Sequence, residues 1–239
     1  MAPAARRLSR KEIRQPDKFI TLTRSLYEGV RVRRVTLLVA VAALGVVLAA
    51  LLGWRLYVGR QNALAAQEFN RGVALYRGQD YTAAAAAFDK AAAYRWSDFY
   101  SLALLYQTDS YLALNDLDKA IATARTALTS APGDPLVRQG LLLGLAHAEE
   151  RKGLCKEAVQ HYTEAENVRY RDGNVPGPFK DHSLLGRARC SVQIDDLKGA
   201  IGAYREYLKQ SGTDQSAYVS AQIAELEAKL AAQASANPK

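Results

Sequence analysis

The sequence is poor in the residues that build disulfide-rich, metal-rich or low-complexity proteins. Its 239 residues include two cysteines, three histidines and one methionine, so a disulfide-built scaffold is excluded. Seven prolines and 16 glycines exclude collagen-like and proline-rich chains. Hydrophobic residues make up 49% and charged residues 23%, close to the average of globular proteins. The length predicts one folded domain with one or two tails.

The sequence also lacks the short motifs that mark common active sites. It has no P-loop, no G-x-S-x-G, no H-E-x-x-H and no C-x-x-C. A zinc site needs three or four converging ligands, and the soft candidates are His161, His182, Cys155 and Cys190. We favour the interpretation that these histidines are ordinary surface or groove residues. We therefore expect no metal, no cofactor and no enzymatic activity.

Basic residues are concentrated at the N-terminus. Residues 1–34 hold ten Lys or Arg and three Asp or Glu, whereas the remaining residues hold 22 and 21. The net charge of +8 thus belongs to a tail, which argues against a nucleic-acid-binding domain. In the tail, Phe19, Leu22, Leu26 and Val30 follow helical spacing. This segment is either an amphipathic helix on the anionic inner leaflet or an extension of the helix that follows.

A long uncharged segment follows the tail. Residues 35–54 carry no charge, and 11 of them are Leu or Val. A helix of twenty residues rises about 30 Å, the thickness of the bilayer hydrocarbon. Trp54 and Tyr57 stand at the far end, where aromatic residues mark the membrane interface. We predict a transmembrane helix over residues 35–57.

The flanking charges predict the orientation of this helix. Arg31, Arg33 and Arg34 precede it directly, so the positive-inside rule places the N-terminus in the cytoplasm. Residues 58–239 then lie outside, which in a bacterium is the periplasm, and the anchor lies in the inner membrane. A cleaved signal peptide is the weaker alternative, because the basic region and the apolar core are both too long. A buried core helix is weaker still.

Small residues recur every four positions along the apolar segment, at Gly45, Ala49 and Gly53. Such a stripe allows another transmembrane helix to approach closely. The alternative is that small residues are simply common in any alanine-rich span.

Four segments after residue 65 share one pattern. They begin at Asp80, Asp116, Leu154 and Asp196, and each has an alanine four residues later. Four positions after that alanine stand Phe88, Ala124, Tyr162 and Tyr204. The spacings between segments are 36, 38 and 42 residues, and the surrounding apolar residues follow helical spacing.

This pattern resembles the tetratricopeptide repeat (TPR), a 34-residue helix–turn–helix unit. The resemblance covers about residues 65–212, with departures at Gln107 and Thr108, where the TPR pattern has Leu-Gly, and at Trp96, where it has Pro. Hairpins of this kind bury their apolar stripes by stacking. Residues 215–233 supply a final cover helix, whose expected inner stripe is Tyr218, Val219, Ile223, Leu226 and Leu230.

The predicted fold class is all-α. A single N-terminal transmembrane helix is followed by a TPR right-handed superhelix of about four helical hairpins and a C-terminal capping helix. The expected segments are a basic cytoplasmic tail with a short amphipathic helix at 1–34, the transmembrane helix at 35–57, a linker at 58–64, the TPR domain at 65–233 and a disordered C-terminus at 234–239.

The TPR resemblance implies a concave groove lined by the first helix of each hairpin. Carried over by position, the lining residues are Phe69, Val73, Tyr76, Arg77, Leu105, Asp109, Leu112, His147, Glu150, Arg151, Leu185 and Arg189. Phe69 and Val73 stand where TPR chaperone receptors carry the Lys and Asn of a carboxylate clamp. We therefore expect a mixed apolar and basic groove for an extended or helical peptide segment and no such clamp.

The two cysteines fall on helices that are neighbours in a TPR stack. Cys155 begins the second helix of repeat three and Cys190 lies in the first helix of repeat four. They form a disulfide in an oxidising periplasm or remain two small buried hydrophobes, and the sequence leaves both interpretations open. An irregular loop is expected over residues 170–182, and we expect Phe179 in it to pack under the superhelix.

The whole layout of tail, anchor and external TPR domain resembles the YfgM-like proteins, ancillary subunits of the SecYEG translocon. The opening SRKEIRQPDKF is similar to that of such membrane proteins. The resemblance implies that the chain binds the translocon and periplasmic chaperones and assists protein translocation. The alternative is a scaffold or assembly subunit of another envelope complex, such as a pilus, secretion, division or respiratory machine. The sequence leaves the oligomeric state open.

Overall fold

The computed structural model describes residues 34–130, 133–170, 173, 175–210 and 215–236. The chain divides into two compact units, residues 1–57 and residues 58–239. The tail at 1–33, with its expected amphipathic helix, lies outside the described residues.

The first helix, α1, spans Arg34–Arg77. It contains an 18-residue window of mean hydropathy 2.9, none of which is buried. Leu38, for example, exposes 68% of its surface. This exposure contradicts the buried-core-helix alternative, because a core helix hides its apolar side chains. By length and composition, α1 is long enough and apolar enough to cross a membrane.

The segment 58–64, which we expected as a linker, is helical and lies within α1. Its Asn62 side chain accepts a hydrogen bond of 2.8 Å from the backbone N–H of Asp98 and donates one of 2.8 Å to the Asp98 carboxylate.

Eight more helices and one small hairpin complete the described part of the chain. They are α2 (Tyr81–Ala92), α3 (Tyr100–Ala113), α4 (Leu117–Thr129), α5 (Pro135–Arg151), α6 (Cys155–Glu166), β1 (Arg169–Tyr170), β2 (Val175–Pro176), α7 (Lys180–Gln193), α8 (Leu197–Lys209) and α9 (Ser216–Ala236). The end of α1 pairs with α2, and then α3 with α4, α5 with α6 and α7 with α8. The predicted all-α architecture of one apolar N-terminal helix, TPR-like hairpins and a final helix is confirmed.

The turn inside each hairpin has one residue in the left-handed backbone region. These residues are Gln79, Asn115, Gly153 and Asp195, with φ of 63°, 59°, 80° and 61°. In three hairpins the next residue is an aspartate whose carboxylate caps the second helix. Asp80, Asp116 and Asp196 accept hydrogen bonds of 3.0, 3.3 and 2.9 Å from the backbone N–H three residues on. Leu154 replaces the aspartate in the third hairpin, where no side chain caps the helix.

Small residues let the paired helices approach closely. The repeated alanines, Ala84, Ala120, Ala158 and Ala200, are all fully buried. Gly72 lies against the ring of Phe88 and Gly186 against the ring of Tyr162, so a Cβ at either glycine would overlap the ring. An added methyl group at either position would therefore force the neighbouring ring to move.

The last helix covers the fourth hairpin as predicted, with two corrections. Val219, Ile223 and Leu226 are buried, and Leu230 is half-buried. Tyr218 was wrongly placed in this stripe, because it is 60% exposed. It lies one residue, or about 100°, away from Val219 around the helix. The helix also continues to Ala236, beyond the expected start of disorder at 234.

The irregular loop before the fourth hairpin contains more structure than expected. Strands β1 and β2 pair antiparallel, with Arg169 opposite Pro176 and Tyr170 opposite Val175. Residues 180–182, which we placed in the loop, already belong to α7. Two β-strands of two residues each give no sequence signal, since alternation needs at least four residues to be recognised.

Candidate functional site: a cleft on the first helices

The first helices of the hairpins form one continuous layer. Helix α3 packs directly against α5, and α5 packs directly against α7. Each second helix packs against the first helix of its own hairpin and that of the next: α4 lies between α3 and α5, and α6 between α5 and α7. The layer formed by α3, α5 and α7 is therefore the surface on which the groove residues were expected.

Close packing within this layer depends on glycine in α5. A Cβ on Gly140 would lie 3.1 Å from the Leu105 side chain, and one on Gly144 would lie 3.3 Å from Thr108. These distances are shorter than ordinary van der Waals contacts, so α3 approaches α5 more closely than larger residues would permit.

At the N-terminal end of the layer, an aromatic cluster fills the space between the first two hairpins. Phe69 lies 5.6 Å from Phe88, 5.3 Å from Phe99 and 5.5 Å from Tyr106, measured between ring centroids. Phe69 is 7% exposed, so it is a core residue and not a groove-lining one, contrary to our expectation. The rings of Phe99 and Tyr106 cover it. The neighbouring Val73 and Tyr76 are partly buried against the same cluster.

A cleft with a volume of about 550 Å³ lies beside this cluster. Helix α3 provides one wall and the start of α5 provides the other. Phe179, at the beginning of α7, lines the cleft as well. The apolar lining consists of Leu102, Leu105, Tyr106, Leu136, Val137 and Phe179. Of the expected groove residues, Leu105 and Asp109 lie here.

Three aspartates line the cleft, and they differ in their partners. Asp98 is hydrogen-bonded to Asn62, and Asp134 accepts a hydrogen bond of 2.7 Å from the backbone N–H of Leu136 as the cap of α5. Asp109 has no hydrogen-bond or ion-pair partner among the described residues. Burial raises the pKa of Asp109 to about 6. Its carboxylate also helps to raise the pKa of Tyr76, although burial is the larger cause there.

Phe179 is held at the cleft by a buried glutamine. The side chain of Gln139 is fully buried. Its Nε2 donates a hydrogen bond of 3.0 Å to the backbone carbonyl of Ala165, and its Oε1 accepts one of 3.3 Å from the backbone N–H of Phe179. Gly177 lies directly against the same side chain. We expected Phe179 to pack under the superhelix, but the structure places it half-buried on the lining of the cleft.

At the other end of the layer, a charged network joins α5 to α7. Arg189 donates hydrogen bonds of 2.7 Å from Nε and 2.9 Å from its terminal nitrogen to the two carboxylate oxygens of Glu150. The Tyr162 hydroxyl also donates to Glu150. Burial opposes ionisation of Glu150, but the hydrogen bonds from Arg189 and Tyr162 lower its pKa overall. Burial, followed by the hydrogen bond to Glu150, raises the pKa of Tyr162.

Arg151 is also engaged within the protein. It donates hydrogen bonds of 2.9 Å to the backbone carbonyl of Leu112 and 2.7 Å to the side chain of Asn115. These bonds satisfy the C-terminal end of α3. Glu150, Arg151 and Arg189 thus tie repeats together, and two of the basic residues that we expected to line the groove, Arg151 and Arg189, are engaged in internal contacts.

The other expected groove residues occupy varied environments. Leu112 and Leu185 are half-buried, whereas Arg77 and His147 are exposed. Of the twelve residues, Leu105 and Asp109 line the cleft, whereas Glu150 and Arg189 belong to the charged network.

The positional pattern missed a buried carboxylate next to Glu150. Glu149 is fully buried and accepts a hydrogen bond of 2.9 Å from Arg125, while the other carboxylate oxygen lies 2.6 Å from Nδ1 of His161. A charged residue on the inner face of a leucine-rich helix is the signal that could have found it, since ionised carboxylates are almost never fully buried unless paired.

Cys155 and Cys190 lie together in the interior, 3% and 0% exposed. The structure has a disulfide between them, with their Cα atoms 4.9 Å apart. The bond joins α6 to α7, and so joins the third hairpin to the fourth. Elsewhere in the described ranges, no group of His, Cys, Asp and Glu side chains is arranged to hold a metal ion.

The small-residue stripe lies on the exposed part of α1. Apart from the adjoining residues and backbone of α1 itself, no atom of the described residues lies within 4 Å of a Cβ placed on Gly45 or Gly53, and Ala49 is exposed.

The stacked hairpins and the cleft on their first helices define a helical repeat domain that presents a binding surface. Residues 69–135 match the family model for the tetratricopeptide repeat. A crystal structure of a thermophilic TPR protein from Thermus thermophilus is similar at 20% identity and a TM-score of 0.37, covering 68% of this chain and 98% of that one. No curated protein matches the chain.

Proposed function

We propose that this chain is a membrane-anchored protein-interaction module. Helical repeats of the TPR type serve as protein–protein interaction modules, and the cleft on α3 and α5 is the observation that carries the proposal. Helix α1 supplies the anchor, and the basic tail stays in the cytoplasm. The repeat domain then lies on the outer face of a bacterial inner membrane, where it assists protein translocation or recruits periplasmic chaperones. The disulfide between Cys155 and Cys190 supports an oxidising compartment.

The second candidate function is the same kind of interaction with a different membrane complex. A scaffold or assembly subunit of another envelope complex would use the same anchor and the same cleft. The exposed stripe of Gly45, Ala49 and Gly53 suits packing against a transmembrane helix of such a complex, as it does against one of the translocon.

Site-specific photocrosslinking in the native host tests the proposal. A photoreactive amino acid is placed at Leu136, which lines the cleft and is 41% exposed. The matched control places it at Ala122, an exposed residue of the second helix α4. We expect partner adducts from position 136 and not from position 122. Adducts with translocon subunits or periplasmic folding factors support the translocation role. Adducts with one other envelope complex at constant ratio support the scaffold role. Absence of adducts from a folded, membrane-inserted variant contradicts the interaction function.

Protease treatment of spheroplasts tests the orientation. Residues 58–239 should be cleaved from outside while a tag at the N-terminus remains protected. Protection of the repeat domain with cleavage of the tag would reverse the proposed topology.

A further inference from the structure

The charge of the cleft differs from that of the rest of the chain. The charged side chains that line it are Asp98, Asp109 and Asp134, and no Lys, Arg or His stands among its described lining residues. Residues 35–239, by comparison, have nearly equal numbers of acidic and basic residues. The cleft is therefore an apolar cavity with a purely acidic set of charges.

Asp109 is the carboxylate in this cleft that the fold does not use. Asp98 is held by Asn62, and Asp134 caps α5. Asp109 stands one helical turn from Leu105 and half-buried among apolar residues, with no bonded partner among those that the structure describes. A half-buried carboxylate without a partner is unfavourable for the folded protein. Burial raises the pKa of Asp109, as expected where the surroundings disfavour the charged form of the carboxylate. A cationic group that entered the cleft would offset it.

The apolar lining suits the rest of a long basic side chain. Lysine and arginine bury their aliphatic stems against apolar surface while the charged group reaches a polar partner. The ring of Tyr106 lies one position beyond Leu105, and Phe179 closes another side. Aromatic rings attract cations placed over their faces, and arginine most often. A volume of about 550 Å³ has room for such a side chain and an apolar neighbour.

The structure disfavours an acidic peptide in the cleft. Arg189, one of the arginines expected in the groove, is already paired with both oxygens of Glu150. Arg151 is hydrogen-bonded to Leu112 and Asn115 at the end of α3. An acidic peptide in the cleft would meet three aspartates and no free cation among its described lining residues.

We propose that the cleft binds protein segments that carry a lysine or arginine beside apolar residues, with the basic group paired to Asp109. This inference rests on the proposed function, since it names the kind of segment that the interaction module selects. The partner is identified by chemistry alone: an unfolded or extended peptide with one basic residue in an apolar context.

The test uses the full chain in detergent micelles and three labelled peptides of eight residues. The peptides are N-acetylated and C-amidated, with a central arginine, glutamine or glutamate flanked by leucine and phenylalanine. Fluorescence anisotropy gives the affinity of each. We expect the arginine peptide to bind about tenfold more tightly than the glutamine peptide, and the glutamate peptide to bind weakest.

The variant Asp109→Asn removes the charge with little change in shape. It should make the arginine and glutamine peptides bind equally, because their difference comes from this carboxylate. The matched control is Glu157→Gln, which removes one negative charge from an exposed position on α6 and should preserve the preference. Thermal unfolding by circular dichroism shows whether Asp109→Asn is folded, and it should be at least as stable as the parent.

The outcomes separate this inference from the interaction function. If the three peptides bind equally and Leu136→Glu abolishes binding, the cleft is an interaction site without a preference for basic residues, and the inference is overturned. If the preference persists in Asp109→Asn, another group reads the charge, and the assignment to Asp109 is wrong. If no peptide binds while position 136 crosslinks a partner, peptide selection by charge is overturned and the interaction function stands.

Discussion

Nδ1 of His161 lies 2.6 Å from a carboxylate oxygen of the fully buried Glu149. The hydrogen bond to Glu149 raises the pKa of His161, and burial only partly opposes the effect. Arg125 also pairs with Glu149 and acts to lower the pKa, while Glu164 acts to raise it. The pair joins α5 to α6 and, through Arg125, to α4.

This pair predicts a pH dependence of stability. The pKa of His161 is higher in the folded state than in the unfolded state, so protonation favours folding. The stabilisation is fully present below the ordinary histidine pKa and is lost as the pH rises through the raised one. We expect the free energy of unfolding of the parent to exceed that of His161→Asn by more at pH 5.5 than at pH 9, as measured by urea titration. A pH-independent difference would contradict this account, and His182→Asn serves as the control at an exposed position.

The close contact between Gly186 and Tyr162 predicts a pair of opposite effects in the fourth hairpin. In Gly186→Ala the new methyl group would overlap the Tyr162 ring, and we expect a destabilisation of about 1–3 kcal/mol. Gly202 lies in α8 with no atom within 4 Å of a Cβ placed on it. Gly202→Ala should therefore stabilise the protein by about 0.5–1 kcal/mol, because alanine is the better helix former. Denaturant unfolding of the two variants measures the change in the free energy of unfolding of each. Equal changes would show that the contact between Gly186 and Tyr162 does not determine the effect of the added methyl group.

The disulfide between Cys155 and Cys190 predicts a redox-dependent stability. The two residues are 35 positions apart in sequence, and a cross-link of this span stabilises a protein by about 2–4 kcal/mol. Reduction should lower the melting temperature of the parent protein. The double variant Cys155→Ser with Cys190→Ala should melt at the same temperature with and without reductant. A parent protein that does not respond to reductant would show that the bond is not formed in the purified protein.

The attachment of Phe179 to Gln139 predicts that the cleft depends on a buried amide. In Gln139→Ala, the N–H of Phe179 loses its partner and the carbonyl of Ala165 loses one of its donors, at a cost of about 1–3 kcal/mol. Amide hydrogen exchange should increase at 175–179, and arginine-peptide binding should weaken. Gln160→Ala, at an exposed position of α6, should change neither quantity. Unchanged exchange in Gln139→Ala would mean that the loop is held by other contacts.

The sequence was sufficient for the repeat architecture but not for the details of the groove. The repeated alanines and aspartates predict hairpins because each has a local physical role, in close helix packing or in capping a helix. The same register predicted that Cys155 and Cys190 lie on neighbouring helices. These inferences depend on spacing along the chain alone.

Contacts between distant segments explain what the sequence did not predict. The position of Phe69 within its repeat predicts a place in the groove. In the structure, Phe99 and Tyr106 cover Phe69, and a pattern of positions within one repeat does not contain that contact. Phe179 reaches the cleft because Gln139, on α5, accepts a hydrogen bond from its backbone N–H and so fixes the path of the loop before α7. Glu149 was overlooked because its two partners, Arg125 and His161, lie 24 and 12 residues away along the chain.

The links between repeats three and four make the local stability of the domain uneven along the stack. The disulfide and the Arg189–Glu150 pair join these two repeats, whereas repeats one and two meet through the aromatic cluster around Phe69. In a stacked array, stability is a sum of local terms, so unfolding begins where neighbouring units are coupled least. In the oxidised protein, repeats three and four should therefore open as one unit, and under mechanical load the disulfide would limit how far the chain can extend.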